Sequence, residues 1–308
     1  YSMDRENNLD RTLRAYDAMF SEGGIKNEEI EKYLKAQHKI GNTDQYIEPV
    51  HVITKAESRV NQNDCVFFFN FREDRLRQIV KMSENLNCAL VTMAEVGKTN
   101  AVPIYVQKNL EDTLSEHLSH LGLRQIKISE TTKYAHVTYF LNGGREEPFK
   151  LEDRVHIPSI KVERFNETPK MRAKEITSEV LKAIDAGYDA IIVNYSNPDM
   201  VGHTGDYEAT IKAIEFLDVC VKKVLDRAKR KDYFVIVTAD HGNSETMRTK
   251  SGEPHMAHTT NPVICTVVDN VQHKMASRGG LKDIAPTMLD LMQVDKNPKF
   301  EGSSLICK

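Results

Sequence analysis

Tyr233-Phe-Val-Ile-Val-Thr-Ala-Asp-His-Gly-Asn-Ser-Glu-Thr246 is the stretch from which the fold of this chain can be read. Phe234 to Thr238 is a short, continuously apolar, β-branched run, the pattern of a strand covered on both faces. It ends in Asp240-His241-Gly242, where the chain must turn. A carboxylate and an imidazole are thereby set side by side at the carboxyl end of a buried strand, the edge at which open α/β sheets bind ligands. One reading of the pair is half of a metal site. The other is an ordinary loop, with the aspartate capping the next helix and the histidine packed or hydrogen-bonded.

Two further stretches weigh on that choice. The run Ala190 to Asn194 leads into Tyr-Ser-Asn-Pro-Asp199-Met-Val-Gly-His203, a second Asp and His at a strand tip, four residues apart. On a shared helical turn or in a tight loop both reach one cation. His255-Met-Ala-His258 stands just before a third apolar run, Val263 to Val268. Structural histidines have no reason to gather with aspartates at three strand ends, so the joint pattern favours metal. Mixed Asp/His donors suit Mn²⁺ or Zn²⁺ better than Mg²⁺, and their number suggests two ions. Paired ions with Arg and Lys nearby are the equipment of phosphoryl transfer.

Outward from these tips, strands and helices alternate. Helices are expected over Asn8–Phe20, Asn27–Ala36, Leu76–Met82, Leu110–Leu121, Met171–Ala186, Tyr207–Ala228 and Lys282–Met292, and strands over Cys65–Phe69, Ala89–Met93, Gln125–Ile128 and His136–Leu141. The class is α/β: a mostly parallel sheet flanked by helices, with a second, partial α/β domain. The Gly- and Pro-containing passage Gly97 to Pro103 places a domain boundary nearby, giving domains over 1–105 and 106–308. Arg72 and Arg75, three apart where a helix begins, can offer two guanidiniums to a phosphate or carboxylate, or simply pair with Glu73 or Asp74. Lys133 falls in a connection between two expected strands.

Composition excludes several functions. The 308 residues carry a net charge of -3, which argues against a nucleic-acid partner, and no stretch approaches the roughly 20 apolar residues that span a bilayer. Five scattered cysteines form no Cys-x-x-Cys pair, so a reducing, cytoplasmic setting is expected. The opening Tyr1-Ser-Met-Asp-Arg5 runs straight into an amphipathic helix and reads as a point inside a longer protein.

Taken together, Met3-Asp-Arg5, Phe69-Asn-Phe-Arg-Glu-Asp-Arg75, Lys133-Tyr-Ala-His-Val-Thr138, Asn194-Tyr-Ser-Asn-Pro-Asp-Met-Val-Gly-His203, Thr238-Ala-Asp-His-Gly-Asn-Ser-Glu245 and Ala257-His-Thr-Thr-Asn-Pro262 resemble, in order and spacing, the cofactor-independent (2,3-bisphosphoglycerate-independent) phosphoglycerate mutases of the alkaline phosphatase superfamily. The resemblance implies a two-metal phosphatase domain over 106–308 and part of a substrate-binding transferase domain over 1–105. It implies Asp199, His203 and His258 as ligands of one ion and Asp240 and His241 of a second. The ions would be Mn²⁺, with Mg²⁺, Co²⁺ or Zn²⁺ as alternatives, and no 2,3-bisphosphoglycerate is needed. Arg5, Arg72 and Arg75 match substrate-binding arginines, Lys133 matches an active-site lysine beside the transferred phosphoryl group, and Thr132 departs from a frequent Glu. The activity implied is a glycolytic and gluconeogenic isomerisation of 3-phosphoglycerate and 2-phosphoglycerate through a phosphoserine, by a monomeric protein acting on small molecules. The family's N-terminal third, with the nucleophilic serine, has no counterpart in these residues, so the chain is expected to be inactive alone. A superfamily phosphoester hydrolase and a non-catalytic metal-binding subunit stand as alternatives.

Overall fold

The structure is a computed structural model, and it describes residues 1–20, 30–52, 60, 62–106 and 110–307. Residues 27–29 of the expected second helix lie outside the described residues. The chain divides into two compact units, Tyr1–Lys108 and Asn109–Lys308.

In the first unit, helices α1 (Leu9–Phe20) and α2 (Ile30–Lys39) precede strand β1 (Cys65–Phe68), helix α3 (Glu73–Ser83) and strands β2 (Ala89–Ala94) and β3 (Val102–Tyr105). The three strands form a parallel sheet in the order β1-β2-β3. Ala15 of α1, Leu76, Ile79 and Val80 of α3 and Val96 make its buried core, which is the reason α3 keeps its amphipathic spacing. β3 is a strand not anticipated from the sequence: it overlaps the Gly97 to Pro103 passage, Val102 pairing with Val91 and Tyr105 with Ala94, and the unit ends just beyond it at Lys108. Pro103 is tolerated because β3 is an edge strand.

The second unit runs α4 (Leu114–His120), β4 (Gln125–Glu130), α5 (Thr131–Val137), β5 (Glu152–Ile157), α6 (Ala173–Asp185), β6 (Ala190–Asn194), α7 (Asn197–Gly202), α8 (Tyr207–Arg230), β7 (Val235–Thr238), β8 (Cys265–Val268) and α9 (Ile284–Leu291). Its parallel sheet has the order β5-β4-β6. β4 is central and buried along its whole length. Ile126 and Ile128 pack there against Ile176, Val180, Ala183 and Ile184 of α6 and Ala228 of α8. The chain leaves β4 for β5 on one side and later returns to β6 on the other, so the strand order reverses at β4. That reversal opens a crevice at the carboxyl ends of β4 and β6.

Two expectations in this unit are overturned. Residues 136–141 are the end of α5 and the turns after it, not a strand, and Lys133 therefore lies in a helix, not a connection. Val137-Thr138-Tyr139-Phe140 has strand composition, but local bonds take up its backbone groups. Thr138 Oγ1 donates to the Tyr134 carbonyl at 2.8 Å, and the Asn142 and Gly143 amides donate to Thr138 and Phe140. Gly143 and Gly144, at φ 69° and 94°, then turn the chain toward β5. The second correction concerns β7, which is half-buried and paired antiparallel with β8, Val235 opposite Val268. An unbroken apolar run does not reveal its pairing partner, which is set by residues some thirty positions away.

Candidate metal centre

Two helix starts build the centre. α5 begins directly after β4, which places Lys133 in its first turn, 5% exposed. α7 begins three residues after β6, with Pro198 in its first turn, where its missing N–H loses nothing. Asp199 stands in that same turn, and His203 follows at the helix end with its amide donating to the Asp199 carbonyl at 3.0 Å. Met200 and Val201 are buried against Ala209 and Ala213 of α8, anchoring α7 so that its polar side chains are held at the sheet edge. Adjacent strand ends thus deliver a lysine and an aspartate, and the Lys133 ammonium forms an ion pair with Asp199 Oδ2.

The remaining groups arrive from the loop after β7 and the segment before β8. His258 Nε2 lies 3.1 Å from Asp199 Oδ1 and 3.0 Å from His203 Nε2, and His203 Nε2 lies 3.0 Å from Asp199 Oδ1. The His241 and His258 rings stack at 3.6 Å, 22° from parallel. Asp199, His241 and His258 each offer one ligand atom, all within 4.8 Å of one another. His203 Nδ1 donates to the Met256 carbonyl at 2.6 Å, which fixes the ring so that Nε2 faces Asp199. Asp240 is half exposed, its carboxylate 3.5 Å from His241 Nε2. The structure therefore gathers Asp199, His203, His241 and His258 and leaves Asp240 at the margin. One carboxylate and two imidazoles lie close enough to share an ion, with His203 Nε2 3.0 Å from the carboxylate and from one of those rings, a donor set that fits a divalent transition ion.

Charge at the centre is shaped by Asp199. Burial pushes its carboxyl up, but the His203 hydrogen bond and the Lys133 ammonium outweigh that and hold it well below the usual carboxylate range. The hydrogen bond to Asp199 raises His203, against the effect of its burial, whereas burial lowers His258. An ionised carboxylate and a neutral imidazole are the forms a cation binds, and Asp199 and His258 are shifted toward them.

The sequence-derived arginines lie in the first unit. Arg5 Nη1 and Arg72 Nε each reach Asp74, at 3.0 Å, and Arg75 Nη1 donates to the Met3 carbonyl at 3.1 Å. Arg72 thus makes the pairing with Asp74 that the sequence left open. Burial lowers Arg75 to about 10, helped by the charges of Arg5 and Arg72, so it stays cationic at neutral pH. The three guanidiniums lie close enough for their charges to interact, with the carboxylates of Asp74 and Glu6 beside them.

Sequence reasoning passed over the groups behind the donors. Asn243 Nδ2 donates to Asp199 Oδ1 at 2.9 Å, and Glu245 joins the segments that carry His241 and His258. Both stand in the Asp-His-Gly-Asn-Ser-Glu string, and their nearness to it was the available signal.

A sequence profile of the metalloenzyme superfamily matches residues 7–296. Over the full chain the sequence is 42% identical to 2,3-bisphosphoglycerate-independent phosphoglycerate mutase 1 of Methanosarcina barkeri. Over 99% of the chain it is 41% identical to the 2,3-bisphosphoglycerate-independent phosphoglycerate mutase of Clostridium botulinum. The chain spans 63% of the length of each of these relatives. A crystal structure of Leishmania mexicana phosphoglycerate mutase at low cobalt concentration superposes on 99% of the chain with a TM-score of 0.89 and 28% identity, 63% of that protein being covered.

Proposed function

The chain belongs to the metalloenzyme superfamily, and from that premise we propose that it carries the metal centre and part of the substrate-binding apparatus of a cofactor-independent phosphoglycerate mutase. This is an isomerase interconverting 3-phosphoglycerate and 2-phosphoglycerate without 2,3-bisphosphoglycerate. The observation that carries the reading is the convergence of Asp199, His241 and His258 within 4.8 Å, with Lys133 paired to Asp199.

Asp199, His203 and His258 are assigned to one divalent ion and Asp240 and His241 to a second, Mn²⁺ being the first candidate. Bound there, a divalent ion polarises the phosphoryl oxygens and neutralises charge on the transferring group. The protein's own part is to position and to balance charge. Asn243 and His203 fix the orientation of the Asp199 carboxylate. Lys133, buried beside it, is assigned to the phosphoryl oxygens, where an ammonium stabilises charge developed during transfer. Arg5, Arg72 and Arg75 are assigned to the anionic groups of the phosphoglycerate. The phosphoryl acceptor is the serine that the resemblance calls for; no residue among these 308 is assigned to it. We therefore take the 308 residues alone to bind ion and anion without turnover. A cytoplasmic setting and a monomeric complete protein accompany this reading.

The test is to assay phosphoglycerate interconversion and bound metal for the 308-residue chain and for the chain extended along its full reading frame, each with and without Asp199→Asn. Expected are Mn²⁺ binding in both parent forms, mutase activity in the extended form only, and loss of both properties in the Asp199→Asn proteins. Release of inorganic phosphate without interconversion by the extended form would instead make this a hydrolase.

A further inference from the structure

We propose that Glu245 is the positioning residue of the metal centre, clamping the segment that carries His241 to the segment that carries His258. The inference rests on the metal-binding reading above and extends it to a group that is not itself a ligand.

The two segments leave the same end of the β7–β8 ribbon, where Thr238 pairs with Cys265, and meet again where the Thr259 amide donates to the Gly242 carbonyl at 2.9 Å and, farther out, where the His255 amide donates to the Met247 carbonyl at 2.9 Å. Between these two pairings Glu245 ties the segments with both oxygens. Oε1 accepts from Thr259 Oγ1 and, at 2.9 Å, from Asn261 Nδ2, both on the His258 side. Oε2 accepts from the Asn243 amide at 2.7 Å, on the His241 side. Asn243 in turn donates through Nδ2 to Asp199 Oδ1 at 2.9 Å, so one carboxylate is linked to the three segments that bear Asp199, His241 and His258.

Glu245 is not among the three residues whose ligand atoms converge, and its oxygens are already occupied by protein donors. Its role is to act through other residues. The stacked His241 and His258 rings show what the clamp holds: a 3.6 Å separation of two groups from different segments, which a small local shift of either would undo. The site does not depend on Glu245 for its core. The side chain lies at an exposed position, so truncating it opens no internal cavity. Partners of metal ligands that are altered in this way change affinity by about 10- to 100-fold.

The experiment is Co²⁺ titration read by visible absorption, with Mn²⁺ affinity by calorimetry, on the 308-residue chain and on Glu245→Ala, Glu245→Gln and Asp199→Asn. Expected is binding by the parent chain, loss in Asp199→Asn, and about 10- to 100-fold weaker binding with altered Co²⁺ bands in Glu245→Ala. Glu245→Gln should recover part of the loss, because its amide oxygen still accepts from Thr259 and Asn261 while its NH₂ faces the Asn243 N–H. Metal-free far-UV spectra should be alike, and if Glu245→Ala does not fold, Asn261→Ala carries the test with the same expected weakening. Unchanged affinity and bands in a folded Glu245→Ala would overturn the clamp while leaving the metal centre standing. Failure of the parent chain to bind either ion would instead overturn the metal reading itself.

Discussion

A Cβ placed on Gly242 would lie 2.2 Å from Thr259 Oγ1 and 2.6 Å from Glu245 Oε1. The backbone between His241 and Asn243 is therefore pressed against the opposite segment, and glycine is required there for close approach and not for a left-handed φ. Gly242→Ala should destabilise the fold by about 1–3 kcal/mol, the usual range for a group forced into filled space. Ion binding should fall with it. Chemical denaturation with and without Mn²⁺ checks both, and a variant indistinguishable from the parent would show that the two segments are looser than the contacts imply. At this scale the candidate donors Asp199, His203, His241 and His258, which the structure brings together, were legible, since Asp and His at strand ends are chemically conspicuous. Glu245 and Asn243 were not, because an amide or carboxylate in a polar loop has no distinguishing pattern until its partners are known. Asp240 was expected with the donors and lies at the margin, half exposed.

The element that most exceeds its sequence is β4. Gln125-Ile-Lys-Ile-Ser-Glu130 alternates polar and apolar residues as a half-solvated strand does, yet all six are buried. Lys127 is fully buried, bonded to Asn142 and 3.3 Å from Glu152, which also accepts from Arg154 Nε at 2.7 Å. The Lys127 charge is thus met by Asn142 and Glu152, from the turn after α5 and from β5, which is how buried charge is tolerated. Burial lowers Lys127 to about 8, opposed by Glu152. Between about pH 8 and the ordinary lysine value of 10.5 the unfolded chain holds a proton that the folded chain has released. This group then makes stability rise with pH across that window. Relative to Lys127→Met, the parent chain should gain melting temperature from pH 8 to pH 10. A difference between the two that stays constant over that range would contradict the assignment. Elements whose burial follows local periodicity, such as α6 and α8, were readable. α5 was not, because its end has the composition of a strand and only the Tyr134, Thr138 and Asn142 bonds decide it.

For the whole molecule, every candidate ligand lies in the Asn109–Lys308 unit and the three arginines lie in the Tyr1–Lys108 unit. Amide hydrogen exchange should accordingly slow on adding Mn²⁺ in peptides covering 196–204 and 240–262, while inorganic phosphate should slow exchange around 3–6 and 70–78. Protection by Mn²⁺ concentrated in the first unit would refute the division of labour. No helix among the described residues is long and apolar enough to cross a membrane. The sequence by itself determined the α/β class and the helices whose apolar spacing repeats every three to four residues, and it singled out the candidate metal donors. Those features depend on local period and on intrinsic side-chain chemistry. The tertiary structure alone decided that β4 lies between β5 and β6, that β7 pairs antiparallel with β8, and that Lys133 meets Asp199. It alone joined the His241 and His258 segments through Glu245. Each of these contacts spans from 14 to more than 60 positions along the chain. No periodicity encodes such separations, and they are fixed only when the strands share one core and their polar ends must find partners at its edge.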